Sequence, residues 1–192
     1  MKQISLLFFF LAFTSSSFAQ KVWALDKSHA KIGFTVTHGM ISEVDGNFKT
    51  FEAKVTTTKD DLSDAIFELT AESASINTDH EGRDKDLKGT DLFDVATYPT
   101  LTYKSSSITK VLGNQYKVNG NLTLKGITLP VALDIWITGP VKNDWAKKNN
   151  IGIKAIGKLN RTDFKVGSKM PVFVVGDEVA LRFIGEFGSP LQ

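Results

Sequence analysis

The chain has no cysteine among its 192 residues. That excludes disulfides, a thiol nucleophile, thiolate metal ligands and a cysteine-linked lipid anchor. Proline is scarce, at 5, and no proline- or serine-rich linker divides the chain, so one domain is expected. No charge of one sign dominates either. Lys+Arg 23 against Asp+Glu 21 leaves +2, with lysines interleaved among acids. The basic stripe a nucleic-acid binder needs is missing. There is no Gly-x-Ser-x-Gly elbow, no glycine-rich phosphate loop ahead of a helix and no His-x-His pair. Catalysis, a metal and a cofactor are therefore not expected.

Long apolar runs are lacking except at the start. Lys2 precedes an apolar stretch, Ile4 to Phe13, that is short for a bilayer span. Ser17-Phe18-Ala19 then offers a small-x-small cleavage site. Residues 1–19 read as a signal peptide, leaving 20–192 as an exported domain, periplasmic or secreted, with no stable membrane insertion.

What the chain does have is alternation. Ile32, Phe34, Val36 and His38 share one face of a strand, and Lys31, Gly33, Thr35 and Thr37 the other. The same period runs through Phe67, Leu69 and Ala71; Tyr116, Val118, Gly120, Leu122 and Leu124; Leu129 to Ile137; Ile151 to Leu159; and Val179 to Phe187. Turn signals separate these runs at the spacing of about eight antiparallel strands in a barrel or sandwich. Gly139-Pro140 is expected to end its strand. An apolar stripe turned inward either fills a barrel or lines a cavity for one small ligand. The glycines on it leave room or let the sheet bend. The pattern also fits a small outer-membrane barrel, which the missing aromatic girdles disfavour.

One long stretch breaks the alternation while keeping large apolar residues: Arg83 to Ser105. Leu87, Leu92 and Phe93 predict a short helical segment near residues 84–94, with Gly89 as its stop. Tyr98-Pro99 then forces an extended backbone into a strand from Thr100. Such a segment is a natural lid on one end of a β structure. Asp84, Asp86, Asp91 and Asp94 lack the spacing of a calcium loop and read as a solvated face. His38 ends an apolar stripe and is expected near the rim, pointing inward. Arg83 and Arg161 sit in segments that interrupt strands, and are expected at the same end. There each would hold an acidic side chain (Asp84, Asp91 or Asp163) or a ligand's polar head.

Several pieces, in order, resemble the YceI-like family of exported lipid-binding proteins. They are Trp23 to His38, Gly46-Asn47-Phe48, Ala74 to Thr78, Arg83-Asp84 with Leu87, Asp91 to Asp94, and Tyr98-Pro99. Gly120 to Gly126 with Pro130-Val131, Leu159 to Phe164 and Gly176 to Val179 complete the set. Leu92, where the family often has Phe, and Lys165, where it often has Gly, depart from it, as does the order Ser28-His29. The resemblance implies an all-β, extended eight-stranded, lipocalin-like antiparallel barrel. It implies binding of a long-chain isoprenoid or fatty amphiphile and no catalysis. On that fold the expected cavity lining is Phe34, Val36, Phe67, Leu69, Leu122, Leu124, Val131, Leu133, Ile153 and Phe183. The expected rim is His38, Arg83, Phe93 and Arg161. The remaining alternative is an exported stress-related structural protein with a filled core. A free strand edge could support a homodimer.

Overall fold

A computed structural model describes residues 20–191. The expected signal peptide lies outside the described residues. Ten strands and one short helix follow in order. They are β1 (Lys21–His38), β2 (Ser42–Phe48), β3 (Phe51–Thr57), β4 (Ile66–Glu72), β5 (Ile76–Asn77), α1 (Glu81–Leu87), β6 (Thr100–Leu112), β7 (Gln115–Leu124), β8 (Ile127–Asn143), β9 (Lys148–Asn160) and β10 (Val175–Pro190).

Every pairing is antiparallel, and the order β10-β9-β8-β7-β6-β4-β3-β1 closes when β1 pairs with β10 from Ala24–Gly188 to His38–Val175. Eight strands thus ring the axis. β2 and β3 act as successive halves of one long strand against β1: Ile32 faces Phe48, and Ala24 faces Lys54. Closure removes most of the open edge that a sheet of this size would otherwise present, leaving residues 42–46 of β2 paired on one side only.

The period-2 signal translates directly into burial. Along β7, Tyr116, Val118, Gly120, Leu122 and Leu124 are all buried, while Lys117, Asn119 and Asn121 are exposed. The glycines on the inward stripe are seats for neighbouring side chains. A Cβ on Gly120 would come within 2.5 Å of the Tyr103 ring, and one on Gly157 within 2.5 Å of Leu133. Gly139-Pro140 does not end its strand. β8 passes through the pair as an irregularity between Thr138 and Val141 and runs on to Asn143. A proline is tolerated at such a bulge because no ladder N–H is required of it there.

The chain direction sorts the connections onto two ends. The upper end carries the β1–β2 hairpin, residues 73–99, the turn at 125–126 and residues 161–174. The lower end carries the loop after β3 and the β6–β7 and β8–β9 hairpins. Trp23, Val55, Leu62, Phe67, Tyr116, Val118, Ile151 and Phe187 belong to one buried cluster that plugs the lower half. A second cluster, including Phe48, Leu101, Tyr103, Leu124, Phe164 and Val166, occupies the upper half.

Candidate functional site

The upper half is not filled. A cavity of about 230 Å³ lies inside the barrel, walled almost entirely by apolar side chains. Phe34 and Val36 of β1, Phe67 and Leu69 of β4, and Leu122 and Leu124 of β7 line it. So do Val131 and Leu133 of β8, Ile153 of β9 and Phe183 of β10. These are the ten wall residues expected from strand parity. Parity misses the wall residues that come from irregular segments: Phe48 at the end of β2, Leu87 and Leu92 of the lid, and Val166. Leu101, Tyr103 and Leu181 line the cavity too, and none of the three is on the expected wall. Lys54, Glu68 and Arg182 border it. Glu68 is engaged by Lys54 and Lys104, each at 3.0 Å.

Aromatic rings continue across the upper end. Phe34 and Phe48 have centroids 6.0 Å apart, and Phe48 meets Phe93 edge-to-face at 5.9 Å. The far end of the Phe34 ring sits against Gly46, where a Cβ would approach it to 2.2 Å. Tyr103 turns its hydroxyl to the Val131 carbonyl at 3.3 Å. Burial pushes its pKa up to about 12 because the phenolate would be desolvated.

The lid is built in two parts. Helix α1 begins one turn earlier than the sequence suggests, because His80 Nδ1 accepts from the Arg83 N–H at 3.1 Å and acts as its cap. Asp84 accepts from the Thr78 N–H at 2.8 Å and from its hydroxyl at 2.5 Å. Residues 88–98 continue as hydrogen-bonded turns, with Phe93 N–H donating to Leu87 O at 3.0 Å. The lid is tied to the 161–174 segment by Gly167 N–H to Asp91 O at 2.9 Å and by Lys169 to Asp91 at 3.1 Å. Lys125 bridges both parts, donating to Thr90 O at 2.9 Å and Lys165 O at 3.1 Å. Lys165 has φ +55, a left-handed conformation that glycine adopts without steric cost.

Of the four expected rim residues, two reach the cavity. Phe93 lines it from the lid. Arg161 lines it and is 5% exposed. Its Nε donates to Gly176 O at 3.0 Å, one terminal nitrogen to Val166 O and Gly167 O at 3.0 and 2.5 Å, and the other to Met170 O and Val175 O at 2.9 and 2.8 Å. All five N–H donors of the guanidinium are thereby used on backbone carbonyls. Arg83 stands on α1 away from the wall, donating to the Thr78 hydroxyl at 2.7 Å and its carbonyl at 2.8 Å. The two arginines do share the upper end. Neither forms the expected pair with a carboxylate among the described residues. His38 is exposed and outside the cavity. The β1–β10 register shifts between Val36 and His38, so the inward stripe stops before it.

Among the described residues, Asp26, His29 and Glu186 have donor atoms within 4.8 Å of one another. His29 and Glu186 are exposed and Asp26 half-buried, and none of the three lines the cavity. His29 Nδ1 sits 3.1 Å from Asp26, and that hydrogen bond raises the histidine pKa. Hydrogen bonds from Ser28 and then His29 lower that of Asp26 to about 2.

The comparisons agree with this architecture. A family model described as the YceI-like domain matches residues 23–187. The chain is 34% identical over 158 residues to "Protein YceI" of Salmonella newport, covering 81% of this chain and 82% of that one. Among solved structures, Burkholderia cenocepacia BcnA superposes with a TM-score of 0.75 at 26% identity, covering 84% of this chain and 98% of BcnA. A polyisoprenoid binding domain from Saccharophagus degradans gives 0.65 at 15% identity, covering 88% and 98%.

Proposed function

The chain belongs to the YceI-like family, and from that premise we propose that it binds a long-chain isoprenoid or similar amphiphilic lipid, without catalysis, inside its barrel. One observation carries the reading: an apolar cavity of about 230 Å³ inside a closed barrel. The polyisoprenoid-binding neighbour shares the fold at 15% identity, so the cavity bears the weight. Each buried CH₂ favours such a ligand by about 0.8 kcal/mol, and no specific polar contact is needed.

The wall bets remain Phe34, Val36, Phe67, Leu69, Leu122, Leu124, Val131, Leu133, Ile153 and Phe183, with Phe93 and Leu92 at the lid. Arg161 acts by holding the upper connections together, since its five N–H groups are already engaged. Residues 1–19 direct export on this reading, and residues 20–192 form the carrier in the periplasm or outside the cell. Transport and storage are both served by a cavity that keeps a greasy chain out of water.

The test is native mass spectrometry of the protein purified from a bacterial periplasm without detergent, followed by organic extraction. A discrete added mass that extracts as a prenyl or fatty compound supports the carrier and identifies its ligand class. A clean apo mass, with no uptake of added polyprenyl alcohol, overturns it.

A further inference from the structure

Large exposed apolar side chains gather on both ends of the barrel, but in different company. At the upper end the β1–β2 hairpin presents Met40 and Ile41, 72% and 92% exposed, and the segment before β10 presents Val172 and Phe173, 60% and 58% exposed. These two tips are joined, since Gly39 N–H donates to Val174 O at 2.9 Å. Each is the direct continuation of a cavity wall. Val36 lines the cavity four residues before Met40, and Val175 lines it two residues after Phe173. Acids border both stretches, His38 to Ser42 and Phe164 to Gly176: Glu43 follows the first, Asp163 and Asp177 bracket the second, and Lys169 is paired with Asp91 at 3.1 Å. At the lower end Leu112 and Trp145 are as exposed, 78% and 99%. There Trp23, Tyr116 and Ile137 fill the barrel and none of the three lines the apolar cavity, while Trp145 borders a separate, more polar cleft with Lys142, Asp144 and Glu186.

We propose that the upper tips are a docking surface for a lipid bilayer, holding the cavity mouth against the membrane. The inference rests on the lipid-binding reading and names where its ligand enters and leaves. Apolar side chains on two short, joined loops that continue a cavity wall match the interface of such a bilayer. A protein partner fits less well. Four side chains on two tips offer roughly a few hundred Å², against about 800 Å² per partner in a stable complex. A ligand whose chain cannot cross water also needs its carrier's cavity brought to the membrane, and these tips continue that cavity's wall through Val36 and Val175.

The experiment compares three exported proteins: wild type, Ile41→Asp/Phe173→Asp at the upper tips and Leu112→Asp/Trp145→Asp at the lower ones. All share one N-terminus, checked by mass. Flotation with phosphatidylglycerol-containing vesicles reads docking, and uptake of a water-soluble short prenyl alcohol reads the cavity. The expected result is that wild type and the lower variant float alike. The upper variant should lose about tenfold in vesicle partitioning while keeping its melting temperature and its uptake from solution. Equal flotation of the two variants, or no flotation of the wild type, overturns the docking surface. Failure of all three to take up the prenyl alcohol overturns the carrier reading instead.

Discussion

The two halves of this barrel are made from the same strands with the same alternation, yet one is a core and the other a container. In the lower half Trp23, Tyr116 and Ile137 come from three different strands and meet in one buried cluster. In the upper half Phe34, Val36, Leu69 and Leu181 stay only partly buried around free space. The upper connections are held by their own bonds: five from Arg161 to carbonyls, two from Thr78 to Asp84, and those from Arg83 to Thr78. An apolar stripe therefore does not by itself make a core. Whether it closes depends on ring-sized side chains converging on the axis and on whether the loops above have other support.

The comparison makes a ranked set of expectations. The largest concerns the plug. Trp23→Ala should cost about 3–5 kcal/mol, as for other fully buried aromatics, and lower the melting temperature steeply. Leu69→Ala, on the cavity wall, should cost about 1 kcal/mol, because its methyl groups already face open space. Equal losses in thermal melting would break the distinction between the halves.

Next comes Arg161→Ala, which leaves five carbonyls without their donor and should cost about 3 kcal/mol. Arg161→Lys, with three donors in place of five, should recover part of that. If Arg161→Ala instead keeps its stability and changes only ligand preference, the arginine serves the ligand and not the loops.

A third substitution sharpens the contrast from the container side. Val131→Phe places a ring in the cavity and should abolish the lipid-bound mass in native mass spectrometry. It should change stability by less than about 1.5 kcal/mol, since the added volume has space to enter. Retained lipid would mean that the ligand does not occupy this part of the barrel.

The boundary residue Tyr103 gives a pH signature. Its folded pKa, near 12, lies above the ordinary 10. Its contribution to stability is therefore complete below pH 10 and is lost as pH rises through 12. Ultraviolet titration of the folded protein should show a tyrosine that ionises near 12, and Tyr103→Phe should remove that step. The smallest effect is expected at His38→Ala. With His38 exposed at the end of β1, stability should change by less than about 0.5 kcal/mol, and prenyl-alcohol uptake should be unaltered.

Strand parity made the wall legible in advance. A side chain's face follows from its neighbours two residues away, so Phe34 and Val36, or Leu122 and Leu124, could be assigned to one face without any tertiary contact. The lid was legible as a break in that period carrying Leu87, Leu92 and Phe93, although its helix starts at Glu81, ahead of the expected segment. The capping bond from Arg83 N–H to His80 moved it there, and sequence spacing did not weigh that bond. The rim was less legible. His38 has the right parity but lies past the register shift after Val36, and parity has no meaning beyond the wall.

The sequence by itself determined the all-β class, a set of about eight antiparallel strands, their inward faces and the place of the lid. These follow from period, turn chemistry and composition, all local properties. The tertiary structure alone decided that the lower half is plugged and the upper half open. It also decided that Gly46 and Gly120 are seats for Phe34 and Tyr103, and that Arg161 binds carbonyls instead of carboxylates. Those outcomes depend on which side chains from distant strands meet at the axis, and on which backbone oxygens the loops bring within reach of a guanidinium.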